Sequence, residues 1–408
     1  MKHNALTSSF KRTKKLTSKT AGILAMSVVL FASCKKNDTT PTTTTPVTTP
    51  TVTPGGGTFT TLYNFKDTNG ANPDGDLIMY NGVLYGMTNG DGVNYWGNIF
   101  SINPNGTGYK DLHDFPNNLT DGSQPFGDLT ASGGLLYGMT YQGGANQGGT
   151  IFSIKPDGSA YTTLRNFGAT NNDAYHPLGN LVIVGSTMYG ASSQGGVNGL
   201  GNIFSISTTG TNYMDLYDFN SPGGIEPECS PILSGTVFYG TAYLGGPDND
   251  GIVYSYDMST KVFTTLVNFG GARGQNPDGG LVLIGDNLQG MTNAGGNDSV
   301  GTIYTVNVDG SGFTTLLSFN GINGAGPYGN LILNGNMVYG MTTGGGTGGV
   351  LFSMGTNGSS YTDLVNFGLS ATPGAFPHGS LLLSNNVLYG MTNAGGKYSY
   401  GTIFSYSL

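Results

Sequence analysis

The chain has only two glutamates, and they stand two residues apart in the stretch IEPECSPIL, at Glu226 and Glu228. Paired carboxyls beside an imidazole can exchange protons with a substrate or hold a metal, and His176 occupies the equivalent place one repeat earlier. These three residues are the first suspects if the chain is an enzyme acting on polysaccharide. Glycoside hydrolysis needs two carboxyls flanking the bond at about 5 to 10 Å, and two on one loop separated by a proline are poorly placed for it. Metal chemistry is no better supplied. The remaining histidines, His3, His113 and His378, are scattered, and PDNDG at 247–251 lacks the spaced acidic series of a calcium loop. No Gly-rich phosphate loop, nucleophile elbow or Cys-x-x-Cys is present. The expectation is binding without catalysis, with neither cofactor nor metal.

Residues suited to binding recur at fixed places. A proline returns at Pro73, Pro125, Pro177, Pro227, Pro277, Pro327 and Pro377. The residues before these prolines are Asn72, Gln124, His176, Glu226, Asn276, Gly326 and Phe376. Those after them are Asp74, Phe126, Leu178, Glu228, Asp278, Tyr328 and His378. The frame repeats while these positions vary, which is where a repeat protein can place specificity. Two further loops carry aromatics: NGDGVNYWG holds Trp96, the only tryptophan, beside Tyr95, and NAGGKYSYG holds Tyr398 and Tyr400. Aromatic faces bordered by Asn, Gln and Asp suit sugars, and they suit protein surfaces equally. The expected ligand is therefore a glycan or a protein; a scaffold with no small ligand is the further alternative.

The elements that position these residues follow from a period. Tyr-Gly recurs at Tyr85, Tyr137, Tyr189, Tyr239, Tyr339 and Tyr389, with Gln289 in the fifth copy, at spacings of 52, 52, 50, 50, 50 and 50. Each copy reads as four short strands, in the first copy DLIMY, VLYGMT, GNIFSIN and YKDLHDF. Ile99 and Phe100 are adjacent and so point to opposite faces. Both faces must be buried, as in blades stacked around an axis. The fourth strand ends seven times, at Phe65, Phe115, Phe167, Phe219, Phe269, Phe319 and Phe367, and its first occurrence, FTTLYNF, precedes the first Tyr-Gly copy. The last copy has three strands and no fourth. That offset predicts an all-β, seven-bladed propeller of four-stranded blades over residues 58–408, closed by the N-terminal strand completing the C-terminal blade.

The strand MTNAGG at 391–396, followed by GTIFS and a turn into TTL-type strands, resembles the kelch propeller repeat. Copies such as GGLVLIGDNLQGMTNAGGNDSVGTIY at 279–304 resemble more closely the bacterial tandem-repeat family called GloVer, and the resemblance covers 58–408. It implies a propeller, attachment to the cell by a lipoprotein signal as one option, and no established activity. The kelch likeness further implies that the loop into the innermost strand and the loop between the second and third strands share the channel face.

The N-terminus carries Lys2, Lys11, Arg12, Lys14, Lys15 and Lys19, then AGILAMSVVLFAS, then Cys34. This pattern predicts a signal peptide over 1–33, too short for a membrane span. FAS-C resembles a bacterial lipobox, with Phe31 where leucine is usual, and so implies a lipid on Cys34 and attachment to the outer membrane through that lipid alone. Cys229 is then left without a disulfide partner. Residues 34–57, rich in threonine and proline, read as an extended tether, and KKND after Cys34 partly resembles signals for surface export. Removing 1–33 leaves 9 basic against 23 acidic residues, a balance of −14. With so little basic charge, nucleic acid is excluded as a partner, and a monomer is expected.

Overall fold

The computed structural model describes residues 51–52 and 56–408, other than 91, 93, 117–120, 222, 230 and 370–372. The signal segment, Cys34 and most of the tether lie outside the described residues. Alternation of apolar residues with turn-forming Gly, Asn and Asp produces antiparallel strands in every copy. The first blade is Ile78–Tyr80, Val83–Thr88, Asn98–Ile102 and Lys110–Asp114. Five more four-stranded sheets follow in the same order. Blade three has a longer innermost strand, Ala174–Val184. In blade two a small pair, Gly122–Ser123 with Gln142–Gly143, joins the two loops at one end.

Closure occurs in the seventh sheet. Its strands are Leu382–Ser384, Val387–Thr392, Thr402–Ser407 and Thr58–Asn64, and Thr51–Val52 adds a short outer edge. Phe59 lies opposite Tyr406 and Asn64 opposite Thr402, and the Phe65 N–H donates to the Gly401 carbonyl at 3.0 Å. The first strand of the propeller thus completes its last blade, as the repeat offset predicts. Ile99 and Phe100 are both fully buried, as are their equivalents around the ring.

Neighbouring blades meet through a repeated glycine contact, with blade four the exception in having Cys229 at the glycine position. A Cβ added to Gly75 would fall 2.2 Å from the Gly127 carbonyl, one at Gly127 would fall 1.8 Å from that of Gly179, and one at Gly379 would fall 2.3 Å from that of Gly75. The segments leading into the innermost strands therefore touch backbone to backbone at these glycines, where a side chain does not fit. Further out, rings on the fourth strands stack between blades. Tyr63 lies on Tyr109 at 4.1 Å, His113 on Tyr161 at 3.9 Å, and Tyr217 on Phe263 at 4.1 Å, while the Arg165 guanidinium sits 3.5 Å over Tyr213.

Between these layers, a phenylalanine of each blade meets a methionine of the blade before it. Phe100 shares a core cluster with Met391, Phe152 with Met87, Phe204 with Met139, Phe352 with Met291, and Phe404 with Met341. In two places the pair changes together. Blades three and four have Ala191 and Thr241 at the methionine position, and the next blades answer with Tyr254 and Tyr304 in place of phenylalanine. The longer ring fills the volume that the missing thioether would take. Both tyrosine hydroxyls are fully buried without a hydrogen-bond partner, a situation that costs about 1–3 kcal/mol per group.

A double-mutant cycle tests this complementarity. Thr241→Met alone overfills the junction and is expected to destabilise by about 1–3 kcal/mol. Combining it with Tyr304→Phe restores the majority pair and should recover most of that loss, with a coupling of at least about 1 kcal/mol in urea unfolding. Additive effects of the two changes would show that the residues do not share one packing volume.

Candidate functional site

At one end of the ring two loops of every blade are tied together. Ala71 pairs with Gly90, Ile225 with Leu244, Gln275 with Ala294, and Ala375 with Ala394. The residue before each proline is left-handed in all seven copies, from Asn72 at φ 52° to Glu226 at 56°. A non-glycine residue adopts this conformation at a cost. Its backbone explains why it persists: the Asn72 N–H donates to the Tyr400 carbonyl of the neighbouring blade, while the Asn72 carbonyl accepts from Asn89 of its own blade. Gln124 and Glu226 use the same joint, through Trp96 and Leu200 on one side and Tyr141 and Tyr243 on the other. This geometry directs the residues after the prolines, and those that follow the second strands, onto the channel mouth.

The seam between blades six, seven and one is a connected polar set. His378 stacks on Tyr328 at 5.1 Å, and its Nδ1 lies 2.7 Å from Asp74 Oδ1. Asn393 donates to the same oxygen at 2.6 Å, and the Asn89 amide donates to the other one. Asn72 donates to Asn393 Oδ1 at 3.2 Å. A second belt accompanies it. The Ser380 N–H donates to Asp76, the Asp76 N–H to Asp128 at 2.5 Å, the Gly280 N–H to Asn330, and the Asn330 N–H to Ser380 Oγ at 2.8 Å. Burial pushes the carboxyls of Asp76 and Asp128 above the usual range, Asp128 well above it.

Across the mouth, Glu228 and Asp278 of the next blade share a hydrogen bond between their carboxyls. Burial raises Glu228 to about 7, with the nearby Glu226 charge adding to the rise. Asp278 is pushed well above its ordinary value by burial and then by the charge of Glu228. Glu226 is raised by burial. Burial, and then the charges of this group, raise the phenols of Tyr243 and Tyr328, which respond to both Glu228 and Asp278, and of Tyr141, which responds to the two glutamates.

His176 does not join the glutamates. Its ring lies flat on Tyr141 at 4.1 Å and against Tyr175 at 4.2 Å, and it bonds Gln194. Burial lowers its basicity. The partner that the glutamates meet is Asp278. Trp96 is half-buried against the core shared by blades one and two, while Tyr398 is exposed beside Lys397. Asn276 is spent on the Tyr243 carbonyl at 3.3 Å, and Gln124 is half-buried at its joint. Among the described residues no three His, Cys, Asp or Glu side chains converge as metal ligands. The residues that the sequence reading missed are Tyr141, Tyr243, Asn89, Asn293 and Asn393. They follow the second strand in equivalent places, and the signal for them was the same alignment of copies applied one strand later.

The described blades and the tandem arrangement agree with a family model, the Gloeobacter/Verrucomicrobia repeat, which matches four overlapping segments, 43–251, 117–304, 171–348 and 237–408. The chain belongs to this family. No functionally curated protein matches it. Among solved structures, this repeat protein is similar to an oligogalacturonate lyase in complex with manganese, at TM-score 0.59 and 10% identity over 89% of this chain and 96% of that one. It is also similar to a puromycin hydrolase, at TM-score 0.55 and 11% identity over 83% of this chain and 52% of that one. A Mycobacterium tuberculosis puromycin-hydrolyzing peptidase gives TM-score 0.53 and 11% identity over 80% and 50%. At these identities the likeness concerns the fold.

The raised carboxyls set a pH dependence. Each binds protons more tightly folded than unfolded, so its contribution is complete below the unfolded value near 4.5 and is lost as pH rises through the folded value, about 7 for Glu228. The melting temperature should therefore fall between pH 5 and 7.5, and Glu228→Gln should flatten that slope. A parent protein that gains stability across this interval would contradict the assignment of a shared proton.

Proposed function

We propose that the protein is a cell-envelope binding module that holds a glycan at the channel mouth, without catalysis. The observation that carries this reading is that Tyr141 and Tyr243 share the position after the second strand with Asn89, Asn293 and Asn393, with Tyr328 and Asp74 at the position after the proline. The amides are held by Asp74 and the Pro327 carbonyl, bonds that a sugar hydroxyl would join or replace. Sugar C–H faces stack on such rings, and hydroxyls need paired acceptors and donors of this kind. That a structure of similar fold is a lyase named for oligogalacturonate is consistent with a propeller presenting a mouth to a sugar chain. Calorimetry of the purified protein against a panel of oligosaccharides tests the reading. Tyr243→Ala should weaken the best ligand at least tenfold, about 1.4 kcal/mol, with the melting temperature retained. A folded protein that retains no oligosaccharide on the panel would remove the proposal.

A second reading, polysaccharide cleavage, is favoured by one feature, the proton shared by Glu228 and Asp278 near neutrality. New reducing ends or unsaturated products that vanish with Glu228→Gln would decide for it.

The lipobox-like FAS-C and the threonine-proline segment after it support a further part of this reading, attachment to the outer membrane through a lipid on Cys34. Cys34→Ser should move the protein from the detergent phase to the aqueous phase on Triton X-114 partition. A variant that partitions as the parent does would exclude the anchor.

A further inference from the structure

Blade three departs from its neighbours in how its loops meet. The stretch from Phe167 to Pro177 is two residues longer than those from Phe65 to Pro73, Phe219 to Pro227, Phe269 to Pro277 and Phe319 to Pro327. Here the innermost strand runs on, so that Ala174 and Tyr175 pair with Gly195 and Gln194 as part of the sheet, where five other blades have an isolated bridge. Between this stretch and the loop after the second strand lies a cleft of about 290 Å³, lined by Thr170, Asn171, Asp173, Tyr175, Gln194 and Gly199 among others. Pockets that take small ligands begin at about 300 Å³, so the cleft has the capacity for one small ring.

Both walls are held by the chain itself. The buried Asp173 carboxylate accepts from Arg165 Nη2 at 2.5 Å and from the Ala169 and Ala174 N–H groups at 3.1 and 3.0 Å. Its carbonyl accepts from the Gly196 N–H of the opposite wall at 3.0 Å. A cleft ordered in this way pays little to bind. The Tyr175 ring covers Gly168, where an added Cβ would fall 3.0 Å from it. Tyr175 is the only aromatic residue at its position, which is Ala71, Ser123, Ile225, Gln275, Ala325 and Ala375 in the other copies. A Cβ at Gly199 would meet nothing within 4 Å, so that edge of the cleft is open.

The lining selects the kind of ligand. Asp173, the one charged residue of the described lining, is matched by Arg165, so an ionised ligand finds no free counter-charge. Thr170 and Asn171 are exposed on one wall and Gln194 on the other, which leaves a hydroxyl and two amides around one aromatic face. That face also leads back to the mouth: Tyr175 lies 4.2 Å from His176, whose ring lies flat on Tyr141 at 4.1 Å. Resting on the glycan reading above, we propose that the cleft is a separate subsite seating one uncharged sugar residue of a chain that runs outward from the mouth over blade three. The C–H face of the sugar lies on Tyr175, and its hydroxyls bond Thr170, Asn171 and Gln194.

The test is calorimetry of the full-length protein against tetramers of glucose, mannose, galactose and galacturonic acid. The tightest neutral tetramer should lose at least about fivefold in affinity with Tyr175→Ala and about threefold with the exposed Asn171→Ala, both at the parent melting temperature. Tyr175→Phe keeps the ring and should stay within about twofold of the parent. The galacturonic acid tetramer should bind at least about tenfold more weakly than the neutral one, since its carboxylate would be desolvated beside no cation. If Tyr175→Ala does not fold, Asn171→Ala and Gln194→Ala decide. Variants of the cleft that bind as the parent does, while Tyr243→Ala weakens binding, overturn the subsite and leave the glycan reading standing. An acidic tetramer held as tightly as the neutral one also overturns it. Failure to bind any of the four overturns both.

Discussion

Everything at the mouth depends on how closely the innermost strands approach each other. Where each glycine meets the carbonyl of the next blade, no side chain can stand between them. The residues on either side of that glycine are therefore pressed against their own counterparts one blade along. Tyr328 stacks on His378, His378 bonds Asp74, and Glu228 bonds Asp278. One position further, Ser380 reaches Asp76 and Asp76 reaches Asp128. Contacts that span about 50 residues inside the ring, and about 300 at its seam, are one geometric contact repeated. The seam works only because Thr58–Asn64 closes the last sheet and brings Gly379 against Gly75. An open array of the same modules would lose the His378 to Asp74 contact and the set built on it.

Most of the architecture was legible because a repeat writes its own alignment. The Tyr-Gly spacing, the Ile-Phe step that buries both faces and the stray FTTLYNF strand each follow from backbone period and burial, and each is found in the sheets. The mouth was legible only by position. Which residues stand after the prolines can be read off, but a reading that follows chain proximity joins Glu226, Glu228 and His176. The fold instead joins equivalent positions of successive blades, which gives Glu228 and Asp278. His176 was misleading for a related reason. It stands before its proline, where the left-handed backbone is used for the joint, and its ring is held flat on Tyr141. Trp96 lies in a loop that the sequence marks as polar, yet it is half-buried against the core, because a large ring beside a blade junction gains more from covering apolar surface than from water.

The departures in blades four and five also bear on how the ring tolerates irregularity. Random drift in a repeat scatters its changes, and compensations for it should be apolar. Here the changes are adjacent, and several run against stability: two carboxyls share a proton, and two phenols are buried without partners. Cys229 adds a geometric reason for their clustering. At Gly75, Gly127, Gly279, Gly329 and Gly379 a Cβ would lie about 2 Å from the next blade's carbonyl, whereas residue 229 carries a side chain whose Sγ lies 3.0 Å from Thr241 Oγ1. The Gly279 carbonyl faces the Thr241 hydroxyl instead. The thiol itself is pushed up to about 11 by burial and is unreactive at neutral pH, so its contribution is its size. One residue that is not glycine thus sets the junction of blades four and five apart from its equivalents, beside the raised carboxyls of Glu228 and Asp278.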